Sequence, residues 1–234
     1  NFLKDSLDSV AAQDYPNLEV LVIDDASPEP IDDILEEYGR TEHAPPVRLL
    51  HHAENQGLGA SRNTGIREAN GTFVAFLDHD DLWAPDHVTN LMSVLADDAA
   101  DLAFCSVMQF HENPADGYGI WGPPSGEIDP TLPFRLFKAN FITPSAVIAR
   151  RSLLNELGGF NTDPKVHMCE DLDLWLRALH AGARFAYVPK VTVYYRKHAA
   201  AATARQGYMA FQSAYVREFH GKNVRAPWFS KRVI

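Results

Sequence analysis

Apolar positions along the chain recur first at helical and then at strand spacing, and the alternation lays out the elements. Leu3, Leu7, Val10 and Ala11 share one face of a helix running to about Gln13, closed by the turn Asp14-Tyr15-Pro16-Asn17. A strand from Glu19 to Ile23 ends in Asp24-Asp25-Ala26-Ser27. Pro30 then opens a helix with Ile31, Ile34, Leu35 and Tyr38 on one face. Val47 to Leu50 is a short strand. Asn55-Gln56-Gly57-Leu58-Gly59 leads into a helix through Ala60, Arg62, Asn63, Ile66 and Ala69, with Asn70-Gly71 as its expected C-terminal cap. The charge-free run Thr72 to Leu77 reads as a buried strand. Pro85 suits the first position of the next helix, which carries Val88, Leu91, Met92 and Leu95 on its core face, and Asp101 to Met108 is a further strand. Strand and helix in alternation predict an α/β domain with a mainly parallel sheet covered on both faces.

The rhythm breaks at residues 109 to 129, where four Gly and three Pro surround Tyr118 and Trp121. A loop of that length inside a compact domain is expected to line or cover a site. Beyond it come a helix from Leu132 to Lys138, a strand from Ile142 to Ala149, and a helix from Arg151 stopped by Gly158-Gly159-Phe160. Cys169 begins another helix, with Leu172, Trp175, Leu176 and Leu179 buried and Gly182 at its end. Strands from Arg184 to Val188 and Lys190 to Arg196 follow, and after His198 an Ala-rich segment reads as helical to about His220.

Chemistry concentrates at the strand ends. Asp78, Asp80 and Asp81 place three carboxylates in four residues at the carboxyl end of a strand, where open α/β sheets bind ligands, and close-set Asp oxygens suit a hard divalent cation carrying phosphate. Asp is also a common capping residue. With Pro85 first in the helix, however, the cap falls on Ala84 and leaves Asp81 three residues upstream. Asp24 and Asp25 form a second acidic strand end on the same edge of a parallel sheet. Glu170, Asp171 and Asp173 crowd the first turn of their helix, where compensation of the helix dipole alone would favour them. Arg62 could reach a phosphate from its helix or be a solvated charge. The glycines near it match neither a P-loop nor a Rossmann fingerprint.

With 234 residues and 46% hydrophobic content, the chain suits one domain with a substantial core. Its 21 basic and 31 acidic residues, net −10, argue against nucleic acid or anionic lipid as the principal partner, and an anionic substrate would need a cation or backbone amides. Two cysteines, Cys105 and Cys169, fit a reducing compartment. No run approaches a membrane span and no signal segment opens the chain.

Taken together, several motifs in order resemble the family-two glycosyltransferases: Ser9 to Val20 with Ile23-Asp24-Asp25-Ala26-Ser27, then Asn55-Gln56-Gly57, Ala60-Ser61-Arg62-Asn63-Thr64-Gly65, Phe76-Leu77-Asp78-His79-Asp80-Asp81, Gly158-Gly159-Phe160, Glu170-Asp171 and Tyr195-Arg196-Lys197-His198. The resemblance implies a GT-A fold, with a Rossmann-like, mainly parallel central sheet and a smaller mixed C-terminal acceptor region. It implies a nucleotide-sugar-binding half over residues 1–108, an acceptor-binding and catalytic half over 109–198, and a C-terminal helical extension over 199–234. Asp24, Asp25, Arg62, Asp78 and Asp80 are then expected to bind a nucleoside diphosphate sugar, with UDP as the expected nucleotide. Asp25 would face the base, Asp78 would lie nearer the ribose, and Asp80, with Asp78 and His198, would hold Mn²⁺ or Mg²⁺. Asp171, with Glu170, would be the general base of an inverting transfer to a hydroxyl of a glycan, lipid-linked or protein-linked acceptor. Trp83 and Trp121 offer faces for the acceptor sugar, and Trp175 is a core residue that could also offer one.

The family begins with a strand and turn that would lie upstream of Asn1. The natural protein is therefore expected to extend upstream, and this chain alone to bind donor poorly. The family's habit points to the cytoplasm, including peripheral association with the inner face of a membrane, and oligomeric state is not legible. Two other readings stay open: a non-catalytic scaffold of the same fold in a polysaccharide-assembly protein, and a receiver-like phosphoacceptor suggested by Asp24-Asp25, which leaves Glu170-Asp171 unexplained.

Overall fold

The computed structural model describes residues 1–96, 99–123, 132–199 and 206–223. Helix α1 (Phe2–Ala11) is capped by Asn1, whose side-chain oxygen accepts from the Leu3 amide at 3.0 Å. Strands β1 (Val20–Asp24) and β2 (Val47–His51) pair in parallel, Val20 opposite Val47, with α2 (Asp32–Gly39) as the crossover between them. Leu7 of α1 and Leu35 and Tyr38 of α2 bury their apolar faces together. Helix α3 (Leu58–Glu68) follows, then β3 (Phe73–Ala75), β4 (Leu82–Trp83), α4 (His87–Leu95) and β5 (Leu102–Phe110). The second half contains β6 (Gly119–Trp121), α5 (Leu132–Lys138), β7 (Val147–Arg150), α6 (Arg151–Glu156), α7 (Glu170–His180), β8 (Phe185–Arg196) and α8 (Gln206–Asn223).

The larger sheet has the order β3-β7-β5-β8-β4, with β6 also paired to β5. Parallel pairing is found between β1 and β2 and along the length of β5 and β8, whereas β3, β4, β6 and β7 run antiparallel to their neighbours. The α/β layering expected from the sequence is present, and the second sheet is mixed. The reason is local: β6 returns directly from β5 through a short connection with a 3-10 turn at Pro114–Asp116, and a short return can pair only antiparallel strands. This hairpin occupies the front of the expected long loop, whose residues 124–129 lie outside the described residues.

Strand β5 is the centre of the core. Its side chains alternate, Leu102 and Phe104 packing with Ile142, Leu172 and Trp175 on one face, Ala103 and Cys105 with Leu91, Leu95 and Ile148 on the other. Beside it, β8 is one continuous strand where two were expected. It absorbs Pro189, which has no N–H to donate, through a register shift opposite Ser106.

Three further boundaries differ from expectation. Helix α4 starts at His87, because the Pro85 carbonyl is engaged by the Asp14 amide at 2.9 Å. Helix α3 ends on an extended Ala69, and the Asn70 and Gly71 amides donate to the Glu19 carboxylate rather than forming a left-handed cap. Between Ile142 and Ala149 a 3-10 turn at Pro144–Ala146 precedes the short β7. Of the C-terminal extension, α8 is helical, and residues 200–205 and 224–234 lie outside the described residues. No helix among the described residues is long and apolar enough to cross a membrane.

One turn ties α3 to the chain that follows α6. Asn63 of α3 donates its amide to the Phe160 carbonyl at 2.8 Å and accepts from the Phe160 N–H at 2.7 Å. Gly159 between α6 and Phe160 has φ +72°, and a Cβ there would lie 2.2 Å from the Asn63 side-chain oxygen. Replacing Gly159 with Ala should therefore strain the backbone and break the amide pair. It should lower unfolding stability by about 2 kcal/mol in urea titration, and an unchanged midpoint would mean that the turn is not constrained in this way.

Candidate active site

Strand ends and one helix N-terminus carry most of the expected residues. At the end of β1, Asp24 accepts from the Ser27 amide at 3.0 Å and meets His51 Nδ1 at 3.0 Å. The Ser27 hydrogen bonds are the main reason its carboxyl sits below the usual range. Asp25 is clamped harder. Its oxygens accept from the backbone amides of Gln56 at 2.9 Å and Gly57 at 2.7 Å, and His52 Nδ1 lies 2.6 Å away. Burial pushes this carboxyl up, but those amides and His52 outweigh it and hold the group ionised. Gly57, with φ +87°, lets the chain turn so that its amide points at Asp25. His52 passes the clamp on, its Nε2 2.9 Å from the Thr64 hydroxyl.

The acidic loop after β3 is held from below by Asp81, which is 1% exposed. Its carboxylate accepts from the Ser145 hydroxyl at 2.6 Å and the Arg196 amide at 3.0 Å, while Ser145 Oγ accepts from the Asp78 amide at 3.1 Å. Burial, with the charges of Asp78 and Asp80, pushes the Asp81 carboxyl well above the carboxylate range. Asp80 faces outward from this platform. Its Oδ2 lies 2.9 Å from His198 Nε2, and its carbonyl accepts from the Arg196 guanidinium at 2.9 Å. His198 rests against the ring of Phe2, centroids 4.8 Å apart.

Asp78 points the other way. Arg62, only 10% exposed, donates to Asp78 Oδ1 at 2.7 Å and to Glu170 Oε1 at 2.9 Å, its guanidinium 5.3 Å from the centre of the Phe160 ring. The expected phosphate contact of Arg62 is thus taken by two carboxylates, whose charges hold it firmly cationic against the cost of burial. Glu170 begins α7, and its second oxygen, Oε2, is buried without a hydrogen-bond partner. Asp171 follows, its surface partly open to solvent and its carboxylate otherwise enclosed by protein. It accepts from Asn140 Nδ2 at 2.8 Å and from the Leu172 amide at 2.7 Å. Burial first, and the Glu170 charge second, raise its pKa to about 7, with Arg62 opposing.

Asp78, Asp80, Arg62, Glu170, Asp171 and His198 therefore belong to one hydrogen-bonded and ion-paired neighbourhood. The tryptophans divide. Trp121 on β6 is half-buried, edge-on to Tyr195. Trp83 offers no open face: it is 8% exposed, its indole N–H donates to the Ser145 carbonyl at 2.8 Å and its ring stacks on His87. That is a correction of its expected acceptor role, with core packing as the reason. Trp175, fully buried with its N–H on the Ile142 carbonyl, offers no face either. Sequence reasoning missed Ser145, Asn140 and His52, and gave Arg196 no role.

Among the described residues no three His, Cys, Asp or Glu side chains converge as a ready cation cage. The residues nevertheless fit a divalent ion bound together with phosphate. Asp80 and His198 present a carboxylate and an imidazole nitrogen 2.9 Å apart, and such ions are commonly held by one or two protein groups plus substrate oxygens. An oxygen and nitrogen donor set suits Mn²⁺ better than Mg²⁺.

A sheet with acidic strand ends, a carboxylate–imidazole pair and a second carboxylate of raised pKa fits a protein of the glycosyltransferase class. The family model "Glycosyl transferase family 2" matches residues 1–158, and the chain belongs to that family. The glycosyltransferase GlyA of Streptococcus pneumoniae is 35% identical over 114 residues, which are 48% of this chain and 16% of that protein. The chain thus spans a small part of that relative. Among solved structures, TarS of S. aureus in complex with UDP-GlcNAc superposes with a TM-score of 0.71 at 22% identity, covering 99% of this chain and 72% of that one. The mannosyltransferase PcManGT of Pyrobaculum calidifontis, in complex with GDP-Man and Mn²⁺, gives a TM-score of 0.69 at 25% identity, covering 97% and 62%. The fold is GT-A.

The raised pKa of Asp171 has a stability consequence of definite sign. Between the ordinary carboxylate pKa of about 4 and about 7 the folded state holds a proton that the unfolded state has lost, so this group costs stability as pH rises through that window. Asp171→Asn should therefore gain in melting temperature relative to wild type on going from pH 5 to pH 8. A difference that stays constant with pH would refute the assignment.

Proposed function

We propose that this domain transfers a sugar from a nucleoside diphosphate sugar, with a UDP-sugar as the first donor to try, to an acceptor hydroxyl with inversion at the anomeric carbon. The observation that carries the reading is the continuous line of contacts from His198 and Asp80, through the acidic loop to Asp78, Arg62 and Glu170, ending beside Asp171. It supports the reading because a carboxylate–imidazole pair and a carboxylate of raised pKa are what a cation-assisted transfer with a carboxylate base needs.

Asp24 and Asp25 sit at the base end of the donor pocket, Asp25 acting largely through the Gln56–Gly57 loop that it fixes. Asp80 and His198, with Asp78, would hold Mn²⁺ or Mg²⁺; when bound, the ion would stabilise the charge that develops on the departing diphosphate. Asp171 takes the proton of the acceptor hydroxyl as its oxygen forms the new bond to the anomeric carbon and the bond to the diphosphate breaks. Asn140 and the Leu172 amide hold the Asp171 carboxylate in a fixed orientation for this transfer. A pKa of about 7 is well matched to proton abstraction near neutral pH. Trp121 is the aromatic face for an acceptor sugar. The acceptor class, a glycan or a lipid- or protein-linked group, and work at the cytoplasmic face of a membrane rest on the family resemblance.

Calorimetric titration with UDP- and GDP-sugars, with and without Mn²⁺, tests the donor half. Binding should require the ion and be lost in Asp80→Ala; binding indifferent to both, or none at all even when the chain is extended upstream, would favour the scaffold reading. With a donor in hand, Asp171→Asn should leave its affinity intact and lower kcat by about 10²- to 10⁴-fold. The wild-type rate should fall on the acid side of about pH 7, as Asp171 takes up its proton. A flat profile to pH 5.5 would remove Asp171 from the base role.

A further inference from the structure

Away from the acidic loop, one face of α8 grips two other helices. Arg217 and His220, three residues apart, lie on the same side of the helix. Arg217 Nε donates to the Phe137 carbonyl at 2.6 Å, and His220 Nε2 lies 2.9 Å from Oδ1 of the buried Asp173 on α7. The backbone comes close as well, since a Cβ on Gly221 would stand 3.8 Å from Cζ of the Phe137 ring. The carbonyl that Arg217 takes is at the end of α5. That helix closes with the Ala139 amide on the Arg135 carbonyl, and the carbonyls of a last turn have no partner inside their own helix. A side-chain donor there fixes where the helix stops and how the chain leaves it.

The chain leaves toward Asn140. Its Oδ1 accepts from the Ile142 amide at 3.2 Å, and its Nδ2 donates to Asp171 at 2.8 Å. Asp171 and Asp173 both stand in the first turn of α7. The contacts thus close a ring, from α8 to α5 through Arg217, from α5 to α7 through Asn140, and from α7 back to α8 through His220. We infer that Arg217 is a positioning residue: by capping α5 it sets the Asn140 amide against Asp171, while His220 holds α8 in place. The inference rests on Asp171 as the base proposed above. The other groups facing Asp171 are Glu170, Arg62 and Cys169. Burial pushes the Cys169 thiol up to about 12, the charges of Asp171 and Glu170 add to this, and Arg217 opposes them, so its charge is felt two residues from Asp171. The donated bond and the charge must therefore be separated.

Titration of the Asp171 carboxyl on the full chain, followed by its carbon-13 resonance and assigned with Asp171→Asn, separates them. Arg217→Met keeps the length of the side chain up to Nε without a donor. It should raise the Asp171 pKa by about one pH unit, the scale of a hydrogen bond to a charged group. Arg217→Gln puts an uncharged amide nitrogen where Nε stood, and should titrate as wild type. Asn140→Ala should give the same rise as Arg217→Met, and adding Arg217→Met to it should give no more. A merely structural role predicts a lower melting temperature with Asp171 unmoved, and a charge effect predicts that Arg217→Gln behaves as Arg217→Met; either result overturns the inference. If Arg217→Met does not fold, the wild-type Arg217 Hε proton decides: slow exchange with solvent is expected of a bonded guanidinium proton, and fast exchange overturns the inference. Wild-type Asp171 titrating at about 4 would defeat the base reading, and the inference with it. Titration near the raised value that Arg217→Met leaves unmoved defeats only the role of Arg217.

Discussion

The buried carboxylate of Asp81 is the constraint on which the site depends. Such a group is expensive to bury and is tolerated where its oxygens are satisfied. Here they are satisfied by a hydroxyl from the turn before β7 and a backbone amide at the end of β8. Meeting that requirement ties three separate stretches of chain under one loop. The same tie aims Asp78 and Asp80 to opposite sides, one toward Arg62 and the other toward His198. Burial first, and then the two neighbouring charges, make the Asp81 carboxyl reluctant to ionise, so the loop is held by hydrogen bonding more than by net attraction.

Charge elsewhere follows from the same economy. A chain of net −10 has few cations to offer an anionic ligand. The deeply buried guanidinium of Arg62 is already shared between carboxylates.

Much of this was legible in the sequence. Helical and strand periods located nearly every long element, and Asp78 and Asp80 stood out because carboxylates crowd there beyond what capping needs, whereas Glu170 and Asp171, which the helix dipole alone would favour, were singled out by the family resemblance. What escaped had no local signature. Strands β4 and β6, of two and three residues, are too short to show a period and exist through their partners. Ser145 is 64 positions from the carboxylate that it serves, and Arg196 serves it with a main-chain N–H that any residue but proline would supply. Trp83 was misjudged because an aromatic next to an acidic motif looks the same in sequence whether its ring faces solvent or packs on His87. Arg62 was expected to meet a phosphate, and the carboxylates that hold it instead lie 16 and 108 positions away.

The bond between Arg196 and Asp5 spans 191 positions, and that between His198 and Asp80 spans 118. Contacts of such separation form late, because the entropy of closing long loops must be met before they return anything. During synthesis, therefore, β1, β2 and the helices around them can condense while the acidic loop still lacks its floor. Only when β8 emerges, bringing Arg196 and His198 together, does the Asp80–His198 pair come into being. The domain is in this sense inert by order of manufacture, since its chemistry is assembled from the two ends of the fold and is absent from every earlier stage of its making.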